Sequence, residues 1–315
     1  MHPMVDTVDV KALLANLDSD AKTELEAKPE VIESGHSLDI NDLAIKARRW
    51  HKLKDVVCVV ADLKSSTKLG IGKHDTSTAR IYQASTGGVV KIFDQFQADF
   101  IQIQGDGVFA LFWCDKRKER AICSGITIKS FSMDLVKRLE SKWPSLPQTG
   151  YKVGVANNRV LVKKVGTPRN PAQQEPIWAG KPVNFATKCA QSADRHELVV
   201  TGSFWDWVQG NDYLAISCPC AGPTPDIWQF KEIEKLPEGD VERQGRVLTS
   251  VWCAVHGKDY CNAVMNGSKN RSDALSARRQ MLLALAMNAR WTVAQGKRAS
   301  LRARREGLGT SARSA

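Results

Sequence analysis

Val56-Val57-Cys58-Val59-Val60-Ala61-Asp62-Leu63 is an unbroken apolar run that closes on an acid. Neighbouring residues of a strand face opposite ways, so a run with no polar alternation predicts a strand buried on both faces. A second stretch, Phe100-Ile101-Gln102-Ile103-Gln104, then Gly105-Asp106, then Gly107-Val108-Phe109-Ala110-Leu111-Phe112-Trp113, reads as two strands around a tight turn. Gly supplies the positive φ that such a hairpin needs. Asp62 closes one strand and Asp106 sits at the hairpin tip, so rigid backbone can carry both to one edge. Two facing carboxylates repel, and a divalent cation relieves the repulsion. The plainer alternative makes Asp62 a helix cap and Asp106 a turn residue.

Outward from these strands, Lys64-Ser65-Ser66-Thr67-Lys68 is a polar loop before a helical pattern carrying Ile81, Ala84, Val89, Ile92, Phe93 and Phe96 on one face. Backbone N–H groups at such a strand-to-helix junction can cradle phosphates, although Ser or Thr there often serves as a plain cap. The Gly87-Gly88 pair weakens the helix. A second helix starts in the charged run Asp115 to Arg120. Tyr151 to Ala156 reads as a strand, Asn157-Asn158 as a turn, and Arg159 to Val162 as the return strand of a hairpin. Pro182 suits the first turn of a helix that places Asn184 and Lys188 four apart on one face. Leu198 to Thr201 is a further strand, Ser203 caps a short Trp-rich helix, and residues 226–262 read as closing strands. Strands alternating with helices, with hairpins among them, predict an α+β sandwich.

Composition sets the outer limits. The 315 residues are 43% hydrophobic and 25% charged, the balance of a soluble globular chain long enough for a full core. The first residues carry no signal-peptide pattern, and no apolar run approaches the 18 or so residues of a membrane span, which predicts a cytoplasmic protein. Eight Cys in this length fit a reduced compartment. The net charge of +11 is lopsided: residues 263–315 hold 11 Lys and Arg against Asp273 and Glu306, leaving the remainder close to neutral. Three segments follow: a leader over 1–45 with short helical patches, a catalytic domain over 46–262, and a basic helical or disordered tail over 263–315.

Three patterns taken in order, Val-Val-Ala-Asp62-Leu-Lys-Ser-Ser-Thr67-Lys-Leu, Gln-Gly105-Asp106-Gly-Val-Phe-Ala-Leu-Phe and Trp178-Ala-Gly180-Lys-Pro-Val-Asn184-Phe-Ala-Thr-Lys188, resemble the class III nucleotidyl cyclase domain, with its ferredoxin-type sandwich. Within that family the pattern is most similar to the pyrimidine cyclases of bacterial anti-phage defence. The resemblance implies that Asp62, the Leu63 carbonyl and Asp106 hold two Mn²⁺ or Mg²⁺ ions. It also implies that Ser65, Ser66 and Thr67 meet the phosphates, that Asn184 orients the ribose and that Lys188 meets transition-state charge, where the family usually has Arg. Lys loses the bidentate fork. Lys231 or Lys235 would take the terminal phosphate.

By the same resemblance Gln102 and Ile177 occupy the base-reading positions, and neither matches a purine code. A Gln amide both donates and accepts, which suits a uracil or cytosine edge, with Trp178 or Trp50 narrowing the pocket. The implied activity is cyclisation of UTP to cyclic UMP, with CTP as the alternative. Active sites would be shared across a homodimer, and the product would act through a separate effector protein. A catalytically silent nucleotide-binding regulator is one rival; a nucleic-acid-binding protein working through the basic tail is another.

Two further features carry bland readings. Cys218-Pro-Cys220 with Cys253-Ala-Val-His256 and Cys261 invites a zinc reading, but the spacing matches no standard finger, and strand Cys is often a small buried hydrophobe. Leu275, Leu282, Leu285, Ala286 and Trp291 followed by Arg298 to Arg305 suggest an amphipathic helix with a basic end. A solvated extension is the expectation there, with no stable nucleic-acid or membrane association.

Overall fold

The computed structural model describes residues 7–45, 48–71, 73–221 and 227–279, together with 283 and 287. The tail pattern over Leu282, Leu285, Ala286, Trp291 and Arg298 to Arg305 lies outside these residues. In chain order the elements are α1 (Val10–Glu26), β1 (Glu30–Glu33), β2 (Arg49–Leu63), α2 (Ser66–Leu69), α3 (Asp75–Gln95), β3 (Phe100–Gln104), β4 (Gly107–Phe112), α4 (Arg117–Lys142) and β5 (Tyr151–Gly166). They continue with β6 (Gln174–Gly180), α5 (Lys181–Ser192), β7 (Leu198–Val200), α6 (Gly202–Val208), α7 (Asp212–Ala215), β8 (Trp228–Glu232), β9 (Gln244–Leu248) and α8 (Gly257–Met265). The architecture is α+β. Among the described residues no helix is long and apolar enough to cross a membrane.

Two compact units divide the chain. The smaller comprises Met1–Lys54 and Arg159–Ala179, the larger Asp55–Asn158 and Gly180–Ala315. In the smaller unit α1 is a full 17-residue helix rather than short patches, started by the Asp9 carboxylate accepting from the Ala12 N–H at 3.0 Å. It buries none of its residues. β1 pairs in parallel with the first residues of β2, Glu30 opposite Arg49 through Glu33 opposite Lys52. Exposed ion pairs line this ladder, Arg49–Glu30 at 2.9 Å and Lys52–Glu33 at 3.1 Å. Such pairs contribute little to stability.

The larger unit is organised on a sheet with strand order β3-β4-β2-β5-β7-β9-β8. Alternation sorts its two faces. Val57, Val59, Ala61 and Leu63 of β2 join Val108, Ala110 and Phe112 of β4 and Val153 and Val155 of β5 in one core with residues of α3 and α4. Between them Cys58 faces the other way, fully buried and within electrostatic reach of Cys189 on α5. A Cβ added to Gly154 of β5 would lie 2.0 Å from the Ala186 carbonyl oxygen, so α5 crosses the sheet at that glycine. Helices therefore cover both faces, and the buried strand 56–63 reads as the apolar run required.

The Gly87-Gly88 pair does not interrupt α3. A Cβ at Gly88 would lie 2.4 Å from the Phe131 ring of α4, so the missing side chain lets two helices meet. Asn157-Asn158 is not a turn: neither residue has positive φ, and β5 runs unbroken for 16 residues. Without a following Gly the pair lacks the residue a two-residue hairpin needs, and the Asn157 amide instead donates to Asp55 at 3.2 Å. The closing segment is not all strand either. Cys261, Val264 and Met265 recur at helical spacing and build α8, with Val264 fully buried. Thr201 holds the cap position of α6, while the Ser203 hydroxyl donates to Glu242 at 2.6 Å.

Candidate active site

The β2–β4 register sets Val60 opposite Phe109 and Ala61 opposite Val108. The next step puts Asp62 opposite Gly107, one residue from Asp106. Gly105 takes φ +65°, and β3 and β4 fold back on each other from Gln104 and Gly107 outward. Both acids thus sit at one end of neighbouring strands, each partly exposed. Both also act on one buried group: burial raises the Tyr151 phenol pKa, and the Asp106 and Asp62 charges push it further up.

Asp62 is not alone. The Lys152 ammonium, on the adjacent strand β5, forms an ion pair with its carboxylate. Lys152 and Asp62 belong to the sheet face opposite the α3–α4 core, as their flanking residues Val153 and Ala61 show. Sequence reasoning passed over Lys152 and Tyr151. The available signal was a lysine inside an otherwise apolar strand, two residues before the glycine that admits α5.

The frame around these groups is tightly bonded. The Lys64 N–H donates to the Gly150 carbonyl at 3.1 Å, and the Thr149 hydroxyl donates to the Lys64 carbonyl at 2.8 Å. These bonds fix the chain directly after Leu63, which is buried. At the start of β5 the Tyr151 N–H donates to Ser132 Oγ at 2.6 Å, and Ser132 Oγ meets His196 Nδ1 at 2.9 Å. The His196 N–H donates to the Tyr151 carbonyl at 2.8 Å, and the Lys129 ammonium donates to the His196 carbonyl. Burial lowers the Lys129 pKa to about 8, against the opposing pull of Glu197. Burial, then the Arg195 and Lys129 charges, lower that of His196.

The remaining candidates are distributed as follows. Ser65 takes the left-handed conformation, φ +61°, at the cap position of α2, with Ser66 and Thr67 opening that short helix. Gln102 pairs across the hairpin with Phe109 and, like Phe100, faces away from Ile101, which packs on the core. It therefore shares the Asp62 face, two strands over and one pair along, a Cα separation of roughly 12 Å. Asn184 is exposed on α5, and Lys188, one turn on, lays its ammonium 5.9 Å from the Phe185 ring. Ile177 lies on β6 in the smaller unit, 44% exposed. Lys231 is engaged by Glu197 at 2.8 Å and Lys235 by Gln191 at 3.2 Å. One chain thus gathers Asp62, Leu63, Asp106 and the Ser65 loop at one end of β2, with Asn184 and Lys188 on α5.

With this geometry established, the chain can be set beside known proteins. It is 60% identical over 278 residues to a uridylate cyclase of Micromonospora echinofusca, covering 88% of this chain and 91% of the relative. A uridylate cyclase of Propioniciclava tarda is 49% identical over 264 residues, covering 82% and 85%. Among solved structures, the adenylyl cyclase CyaB of Pseudomonas aeruginosa superposes with a TM-score of 0.51 at 13% identity, over 64% of this chain and 96% of that one. A class III adenylyl cyclase-like ATP-binding protein from the same organism gives 0.51 at 13% identity, over 90% and 54%. These two likenesses establish the fold. No family model matches the sequence.

Proposed function

The chain belongs to the uridylate cyclase family and is a nucleotidyl cyclase, and on that premise we propose that it converts UTP to 3′,5′-cyclic UMP and pyrophosphate. The observation that carries the proposal is the register that sets Asp62 opposite Gly107 and beside Asp106. The donors there are oxygens, two carboxylates and the Leu63 carbonyl, and a lysine ammonium already lies against one carboxylate. That chemistry fits a hard divalent cation, Mn²⁺ or Mg²⁺, two to a site. When bound, the ions lower the pKa of the attacking hydroxyl and neutralise the triphosphate.

The chain's own residues then position the nucleotide. The ribose 3′-oxygen forms a bond to the α-phosphorus, the bond from that phosphorus to the bridging oxygen breaks, pyrophosphate leaves, and the hydroxyl proton passes to water. Ser65, Ser66 and Thr67 border the phosphates, Asn184 orients the ribose, and Lys188 meets the charge that grows on the leaving oxygens. Gln102 and Ile177 read the base, and the Gln amide pairs with a uracil edge that presents both a donor and acceptors.

Asn184 and Lys188 serve the carboxylates of a second copy, so the working unit is a homodimer. The cyclic product signals to a separate effector in anti-phage defence. Purified protein given Mn²⁺ and each of ATP, GTP, CTP and UTP tests the proposal, with products identified by mass spectrometry. UTP turning into cyclic UMP is the expected outcome; conversion of a purine nucleotide alone overturns it, and CTP as preferred substrate reassigns the base. Mixing inactive Asp106→Ala with inactive Asn184→Ala should restore about a quarter of wild-type turnover, since half the dimers then hold one intact site.

A further inference from the structure

We infer that Cys218, Cys220, Cys253 and His256 form a structural zinc site, a Cys₃His centre separate from the nucleotide-binding carboxylates and independent of the cyclase reading. Each of the four offers one ligand atom, and all of these atoms lie within 4.8 Å of one another. Three sulfurs surround one nitrogen: His256 Nδ1 is 3.2 Å from the Cys218 sulfur, 3.4 Å from that of Cys220 and 3.9 Å from that of Cys253. A tetrahedral zinc ion with Zn–S of about 2.3 Å and Zn–N of about 2.0 Å spaces sulfur from nitrogen by roughly 3.5 Å. No disulfide joins any of these cysteines.

The surroundings are those of a metal centre rather than of a few buried thiols. Backbone N–H groups of His256 and Val255 point to the Cys253 sulfur, closing a tight Cys-x-x-His turn. The Tyr260 hydroxyl bonds to Cys218, and its ring stacks on His256 at 5.8 Å between centroids. Arg271, itself buried, donates to the Ile216 and Ser217 carbonyls at 3.0 Å each and lies 4.5 Å from the Tyr260 ring centre. It thereby fixes both the peptide that delivers Cys218 and the ring that braces His256. Outer partners of this kind orient the ligands of a metal site. Soft thiolates with one imidazole select zinc over the hard ions suited to Asp62 and Asp106. Four protein ligands leave no open position, which marks the site as structural.

The location gives the site a purpose. Residues 218–220 precede β8, and residues 253–256 lead directly into α8, so an ion here joins the two ends of the segment that forms the β8–β9 hairpin. Closing a loop of that length restrains the unfolded chain as a disulfide would. α8 packs on α4, where the free Cys123 thiol donates a hydrogen bond to the Cys261 sulfur, so the clip also holds the helical layer behind the sheet.

The test uses untagged full-length protein, purified without added metal and dialysed against EDTA. Elemental analysis should find one zinc per chain, released in step with titration of the thiols by an organomercurial. X-ray absorption at the zinc edge should show three sulfurs and one nitrogen, which does not depend on any variant folding. Cys253→Ser and Cys218→Ser should each lose the zinc, whereas Cys189→Ser, altering a buried thiol outside the cluster, should keep it. Zinc well below one per chain with freely reactive thiols overturns the assignment, as does a shell of oxygen and nitrogen alone, or a disulfide within the cluster.

Discussion

Two corners of the larger unit gather side chains of the kinds that hold metal ions, and they do so in opposite ways. At the end of β2 and β4 the carboxylates of Asp62 and Asp106 are like charges in water's reach, and a lysine holds one of them. At the start of α8 three thiols and an imidazole converge within 4.8 Å of one another. The difference lies in charge. An ordinary thiol is mostly neutral near pH 7, and backbone N–H groups of His256 and Val255 lower the pKa of the Cys253 sulfur to about 6 and meet its charge. These groups can therefore be packed together before an ion arrives, whereas carboxylates must be separated or neutralised. On the proposed reading, the carboxylate corner is left open, with Lys152 compensating one acid. The proposed zinc site, by contrast, is fully assembled by the fold.

The largest effect should come from the open corner. Asp106→Ala or Asp62→Ala removes several kcal/mol of transition-state stabilisation, about a thousandfold in kcat, while the zinc content and melting temperature stay near wild type. Retained turnover would break the contrast at its functional end.

Next comes the closed corner. Cys253→Ser should cost about 3 kcal/mol of stability, the scale of opening a long constrained loop, read by urea unfolding. Residual turnover per folded molecule should be preserved. A loss of kcat with unchanged stability would mean that the cluster serves catalysis instead.

Lys152→Met sharpens what provisional compensation means. Removing the ammonium that competes for Asp62 should tighten Mn²⁺ binding about threefold to fivefold by titration calorimetry. Unchanged affinity would make Lys152 a bystander.

The smallest effect is a pH dependence. The folded state lowers the His196 pKa through burial and neighbouring cations, so the unfolded chain binds the proton more readily. Its contribution is complete above the ordinary His value of about 6.5 and is lost as pH falls below it toward the lowered folded value. The stability advantage of wild type over His196→Gln should therefore shrink as pH drops from about 7 to 5, the variant showing the shallower slope.

Much of this was legible in the sequence because local chemistry and tertiary context agree. The run 56–61 had no polar residue to assign it an outer face, and Gly105-Asp106 named its own turn. Asn157-Asn158 misled because its turn-like composition is outweighed by a strand whose polar side chain finds Asp55 across the fold. Lys152 and Tyr151 were invisible as site residues since their importance rests on what neighbouring strands bring to them. The Cys218, Cys220, Cys253 and His256 cluster was named in the sequence as a candidate zinc set, but with Cys261, which the fold places outside it against Cys123. Its pairs lie far apart in the chain, at spacings no short motif records, and only the fold brings them together.

The most direct measurement is Mn²⁺ binding by electron paramagnetic resonance, on zinc-replete wild type and Asp106→Ala, with a non-cyclisable UTP analogue present. Two nucleotide-dependent Mn²⁺ ions per active site in the wild type, lost in the variant while zinc remains at one per chain, is the predicted result. Undiminished Mn²⁺ binding in Asp106→Ala would contradict the carboxylate pair as the seat of the chemistry.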